Sequence, residues 1–156
     1  MVSMTEDPLA RTELTFLLGL GFQLVLREFV TRVEAAGYDD LRPIHGAVFQ
    51  ALRGPGSTST ELAEHLGVTK QAAGQIVDEL ERKGYLVRQP HPDGGRRKLV
   101  VLTDKAFEHL TVAGRILHDL EAELGTQVDF GVLRTELTKL IRTISGPDLP
   151  ALRPFW

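Results

Sequence analysis

TSTELAEHLGVTKQAAGQIVDELERKGYLVRQPHPDGGRRKLVVLT, residues Thr58 to Thr103, decides the fold of this chain. Thr58 and Glu61 have the spacing of a capping box, in which each side chain bonds the other's backbone N–H. The helix behind them places Leu62, Ala63 and Leu66 on one side, and Gly67 ends it. Val68 plugs a tight turn, and Thr69 caps a second helix. In that helix Ala73, Ile76, Val77 and Leu80 recur at i, i+3, i+4 and i+7, the stripe of a buried helix face. Gly84 closes it. Tyr85 to Gln89 and Leu99 to Leu102 then read as two strands. The loop between them contains Pro90, Pro92, Gly94 and Gly95, and its two prolines cannot donate to a ladder. Helix, turn, helix and basic hairpin in that order predict a helix-turn-helix with a wing, a module that binds duplex DNA.

The charge is distributed accordingly. The 156-residue chain has a net charge of −3, which taken alone argues against nucleic acid. Residues 69–98, however, carry seven basic and four acidic residues, a net +3 that leaves −6 elsewhere. Distribution, more than the total, marks an electrostatic footprint.

Outward from this stretch the chain is helical. Arg11 to Ala36 reads as one long helix, apolar around most of its first half (Leu14, Phe16, Leu17, Leu18, Leu20, Phe22, Leu24, Val25, Leu26) and stopped by Gly37. All-round apolarity means enclosure by other elements or by a partner chain. The run is too short and too interrupted for a membrane span, which needs about 20 mostly apolar residues, so no membrane partner is expected. Residues 1–10 read as frayed. Pro43 suits the first position of a helix over 43–53, with Ile44, Val48, Ala51 and Leu52 on its inner side. After Thr103, Ala106, Leu110, Ala113, Leu117, Leu120 and Leu124 alternate four- and three-residue steps. Phe130, Leu133, Leu137, Leu140 and Ile144 repeat that seam behind a cap at Asp129. Heptad-like seams of this kind pack helix on helix.

The expected fold is therefore mainly α with a small β-hairpin wing. A winged helix-turn-helix DNA-binding region, residues 41–102, is embedded in a helical dimerisation region formed by 11–36 and 103–146. An extra extended pair is expected to complete the wing sheet. Leu14, Leu17, Leu18, Leu117, Leu120, Leu124, Leu133, Leu137, Leu140 and Ile144 are the candidate dimer interface; an intramolecular three-helix bundle is the alternative.

A recognition helix needs hydrogen-bonding side chains near its start. Thr69, Lys70, Gln71 and Gln75 supply them, and no acid precedes Asp78. Gln can bond adenine N6 and N7 together, and Lys70 can meet phosphate or guanine. Asp78 and Glu79 repel phosphate, so contact should fade by the third turn, and Arg82 is placed to pair with Asp78. Gly74 has two readings, a close approach to the groove wall or a tolerated surface glycine. At the wing, Arg96, Arg97 and Lys98 follow two glycines, and an Arg there can enter a narrow minor groove. Arg88 on the opposing strand, and Thr58 at the first cap, complete the candidate DNA contacts. A Gly-Gly-Arg-Arg turn alone would read as a solvated hairpin tip; behind a capped helix-turn-helix the DNA reading is stronger.

These residues resemble the MarR family of bacterial transcription regulators. The resemblance runs from about Glu13 to Ile144 and is most specific in TELAEHLGVTKQAAGQIVDELERKGYLVR and GRRKLVVLTDKA. It implies a homodimer paired through its first and last helices, with the fourth helix in the major groove. It also implies Arg96 as the wing-tip arginine and Lys70, Gln71 and Gln75 on the reading face. Two positions depart from the family pattern. Gly94 stands where an Asp often braces the wing arginine, with Asp93 one residue further back, and Arg42 stands before Pro43 where a Ser or Thr cap is common. Many members answer to small phenolic or aromatic ligands, which would place His45 and Phe49 at a pocket here; ordinary packing is the competing reading for both.

Other classes find little support. There is no phosphate-binding loop, no Gly-x-Ser-x-Gly elbow and no HExxH, so no enzyme is expected. The five histidines form no HxxxH pair, so no metal and no cofactor are expected. There is no cysteine, which removes thiol sensing and fits a reducing, cytoplasmic setting, as does a start without the order of a signal peptide. The predicted function is a sequence-specific double-stranded DNA-binding regulator, a repressor by expectation, acting as a homodimer on a pseudopalindrome and released by a small ligand. The alternative is a winged-helix protein–protein module, which needs no basic wing.

Overall fold

The computed structural model describes residues 6–152 and divides into two compact units, one ending at Asp39 and the other beginning at Asp40. In the first unit a short 3₁₀ turn, Pro8–Arg11, precedes α1, Leu14–Ala35. The turn is capped by Asp7, whose carboxylate accepts the Leu9 N–H at 2.9 Å, so part of the expected frayed start is ordered. Among the residues of α1 only Val33 is buried, while Leu14, Phe16, Leu18, Leu20 and Leu24 stand in solvent. By length and composition alone α1 could cross a membrane.

The second unit holds α2 (Pro43–Ala51), α3 (Ser59–Leu66), α4 (Lys70–Arg82), β1 (Leu86–Pro90), β2 (Lys98–Leu102), α5 (Asp104–Leu124) and α6 (Phe130–Ser145). Each junction is fixed locally. The Glu61 N–H donates to Thr58 Oγ1 at 3.2 Å and Glu61 Oε2 accepts the Thr58 N–H at 3.0 Å, closing the capping box. Thr69 Oγ1 accepts the Ala72 N–H and caps α4. Gly84, at φ +83°, ends α4 by letting the Tyr85 N–H reach the Leu80 carbonyl, a closure that glycine's left-handed φ permits. Thr103 caps α5 and also donates its hydroxyl to the Gly84 carbonyl at 2.7 Å, tying the end of α4 to the start of α5.

β1 and β2 pair antiparallel from Leu86↔Leu102 to Pro90↔Lys98. The expected extra pair exists: Ser57 and Val100 exchange both backbone hydrogen bonds, at 3.1 and 2.8 Å. Gly56 makes that approach possible. Its φ is +95°, and a Cβ there would stand 2.5 Å from the Val100 carbonyl oxygen.

The core joins Val48, Phe49 and Leu52 of α2 to Leu62 and Leu66 of α3, Ala73, Ile76, Val77 and Leu80 of α4, Leu86, Val100 and Leu102 of the sheet, and Ala106 and Leu110 of α5. The inner face of α2 is thus His45, Val48, Phe49 and Leu52; Ile44 and Ala51 lie at its margin. Phe49 meets Tyr85 and His109, with ring centroids 5.5 and 5.4 Å away, so the first turns of α5 belong to the winged-helix core. Beyond Leu110, burial thins. Leu120 is buried within the single chain, so it offers no surface to a second copy, against expectation. Leu117 is exposed, and no residue of α6 is buried at all.

Candidate nucleic-acid interface

One side of α4 is packed and the other is open. Ala73, Ile76, Val77 and Leu80 are buried, while Lys70, Gln71, Gln75, Asp78 and Arg82 are exposed. Thr69 is exposed at the cap, with its hydroxyl oxygen engaged by the Ala72 N–H. The structure therefore brings Thr69, Lys70, Gln71 and Gln75 together on the first two turns, at a helix N-terminus that favours anions.

The hairpin tip is built around a turn in which the Gly94 N–H donates to the His91 carbonyl at 2.9 Å, with Gly94 and Gly95 at φ +77° and +82°. Arg96, Arg97 and Lys98 emerge from it exposed, with no ion pair to any described residue. Asp93 turns back toward His91, whose Nδ1 accepts the Asp93 N–H at 3.1 Å, so Asp93 does not brace Arg96. The tip's cations are thus held by backbone geometry alone.

The acids of α4 are each neutralised from outside the helix. Arg88 Nη2 lies 2.7 Å from Asp78 and its Nη1 lies 3.0 Å from Glu81. Sequence spacing pointed to Arg82 for Asp78 and to phosphate for Arg88; the β1 strand instead lays Arg88 along α4. Glu79 accepts from Arg42 and, at 3.0 Å, from Lys83, which also donates to the Asp40 carbonyl. These cations, Lys83 first, hold the Glu79 carboxyl down at about 2. Phosphate repulsion from the second half of α4 is correspondingly weaker than the bare sequence suggests.

His45 anchors the other end of this cluster. It has no exposed surface, and its Nδ1 accepts the Arg42 N–H at 2.9 Å, supplying half of a capping box where the side chain before Pro43 cannot. With Nδ1 accepting, the ring proton sits on Nε2. That atom lies 3.4 Å from Glu79 Oε2, a long contact without hydrogen-bond alignment. Burial pushes the His45 pKa down, opposed by Glu79 and reinforced by Arg42 and Lys83. Neutral His45 and ionised Glu79 together fix the start of α2 against α4.

Two sets of expectations are corrected by this geometry. His45 and Phe49 have no exposed surface, one occupied in capping and the other among aromatic rings, so neither lines a surface a ligand could touch. Thr58 is also buried and its hydroxyl serves the capping box, so it is a structural residue and not a DNA contact. The sequence did not reveal the Arg42–Glu79 and Arg88–Asp78 pairs, which join residues 37 and 10 apart. Only the i,i+4 spacing of Glu79 and Lys83 signalled part of the cluster.

Gly74 is helical and partly exposed, and a Cβ there would meet nothing within 4 Å. Packing inside the chain does not require glycine, which costs roughly 1 kcal/mol relative to Ala in a helix interior.

Comparison with known proteins agrees with this geometry. The model of the MarR family matches residues 42–97, the whole span from the start of α2 to the wing tip. Among solved structures, the transcriptional repressor CouR bound to a 23-mer DNA duplex is 27% identical, with a TM-score of 0.69, over 85% of this chain and 92% of that one. A single-site mutant of MarR from E. coli is 23% identical, with a TM-score of 0.70, over 83% and 96%. A CouR from Rhodococcus jostii RHA1, bound to p-coumaroyl-CoA, is 20% identical, with a TM-score of 0.67, over 92% and 99%. A winged-helix segment that matches the MarR family model, set in the same six-helix and hairpin frame as these structures, makes the chain similar to MarR-family winged helix-turn-helix regulators.

Proposed function

We propose that this protein is a homodimeric transcription regulator that binds a pseudopalindromic duplex operator and acts as a repressor. The observation that carries this reading is the joint exposure of Lys70, Gln71 and Gln75 on α4 and Arg96, Arg97 and Lys98 on the hairpin, none of them paired to an acid among the described residues. Two recognition helices enter successive major grooves about one helical turn apart. The tip arginine, Arg96, reaches the minor groove beside each. The CouR structure on DNA supports the same use of the fold.

Pairing of two chains is supported by α6, an amphipathic helix with no buried residue, on which Val132, Leu133, Ile141 and Ile144 are exposed. A contiguous exposed apolar face of this kind suits an interaction surface. In the first unit Leu14, Leu17 and Leu18 of α1 are candidates for the same role, and in the second Leu117, Leu124, Leu137 and Leu140 continue the seams of α5 and α6. Release by a small aromatic or phenolic ligand completes the proposal, and aromatic acyl-CoA thioesters are the first compounds to screen, given the ligand of the Rhodococcus jostii CouR.

The test is selection of sites from random duplex DNA, followed by binding across a salt series. Affinity should fall steeply with salt, and the selected site should be a two-fold repeat. Arg96→Ala should weaken all sites, whereas Gln71→Ala and Gln75→Ala should shift the preferred sequence. Absence of binding to any duplex at low salt would overturn the proposal.

A further inference from the structure

The flank of α4 that carries Gly74 is shared, by helical spacing, with Lys70 one turn before it and Asp78 one turn after it. Glu81 lies on the same side, and Arg88 of β1 pairs with both acids, so this is the flank turned toward the wing. When α4 occupies a major groove and the hairpin tip the neighbouring minor groove, one sugar–phosphate strand separates the two grooves. That strand has to pass between helix and wing, over this flank.

We propose that Gly74 is the seat of that strand, its missing side chain letting the DNA backbone lie against the backbone of α4. The inference rests on the DNA-binding reading above. Three observations carry it. The glycine sits inside a well-formed helix whose opposite face is fully packed. No described residue occupies the space a side chain would fill. Its neighbours supply the chemistry of a phosphate track: Lys70 is exposed and has no ion pair to a described residue, and Asp78 and Glu81 beyond it are neutralised by Arg88. Open space also surrounds the helical glycines Gly19, Gly21, Gly46 and Gly114. Gly74 differs from them in lying among the exposed polar side chains of the recognition helix.

Gly74→Ala and Gly74→Gln separate the two roles a glycine can have. Both are better helix formers, so the melting temperature of each variant should rise, by about 2–4 °C for Ala. Affinity for the selected duplex should nonetheless fall, about tenfold for Ala and at least a hundredfold for Gln. The same loss is expected on random duplex, since a backbone strand is what is displaced. A variant pair that is more stable and binds within twofold of the parent overturns the inference while leaving the DNA-binding reading intact. A lower melting temperature for Gly74→Ala also overturns it, because the fold itself would then require the glycine. A parent protein that binds no duplex at all removes the DNA-binding reading and this inference with it.

Discussion

Glu79 offers the sharpest test of how α4 is held. Its carboxyl sits at about 2, against an ordinary 4.5, because Lys83 and Arg42 donate to it. A depression of that size corresponds to a ceiling of roughly 3 kcal/mol in favour of the folded state when the carboxyl is charged. About a quarter of the Glu79 side chain is in water, 24%, and Arg42 is mostly exposed, so solvent screening reduces the expectation to about 1–2 kcal/mol. The folded-state value is lower than the unfolded one, so the contribution is present above 4.5 and is lost as the pH falls from there toward 2. Glu79→Gln keeps the shape and removes the charge. By urea unfolding at pH 7 it should lose about 1–2 kcal/mol. The gap to the parent should narrow below pH 5, as the unfolded parent begins to take up its proton. Glu79→Ala should lose at least as much at pH 7, since it removes the acceptor of both Arg42 and Lys83. A Glu79→Gln protein as stable as the parent at pH 7, or a gap that stays constant down to pH 4, would refute the clamp. His45 and His109, both with pKa values lowered by burial, act in the same direction. Their contribution is present above 6.5 and declines as the pH falls below it.

Three further outcomes follow from particular residues. Gly56→Ala should cost about 3 kcal/mol in thermal or urea unfolding, because the left-handed φ and the Val100 carbonyl leave no room for a Cβ; a loss under about 1 kcal/mol would contradict that. Arg88→Ala should weaken DNA binding by freeing Asp78 and Glu81 while leaving the slope of log affinity against log salt unchanged, whereas Arg96→Ala should lower the slope by about one; a matching drop for Arg88→Ala would make it a phosphate contact. Truncation after Gly125 should leave a monomer in sedimentation that still unfolds cooperatively; a truncated chain that remains dimeric would remove α6 from the interface.

The elements written in local sequence were the legible ones. Thr58, Thr69 and Asp129 each cap the helix their spacing announced, Thr103 caps α5 in the same way, and Gly37, Gly67 and Gly84 end the helices before them. These are contacts within a few residues, so neighbouring letters determine them. The face of α2 was off by one position because its nine residues are too few to fix a period, and a polar residue, His45, is buried there. That Thr58 is buried away from DNA, and what Arg88 and Glu79 pair with, could not be read, because each depends on what tertiary packing brings to it. A threonine signals a cap or a phosphate contact equally well until its burial is known. An arginine on a strand signals DNA until two carboxylates of a distant helix are found beside it.

The bare apolar face of α6 has a consequence for how the regulator would respond to its own abundance. If that helix finds cover in a second chain, as proposed, the competent species is a product of two concentrations, and not of one. Operator occupancy then rises with the square of chain number at low abundance, and a modest fall in synthesis empties the site disproportionately. Sharpness of response is thereby set by the law of mass action acting on one uncovered helix, before any ligand intervenes.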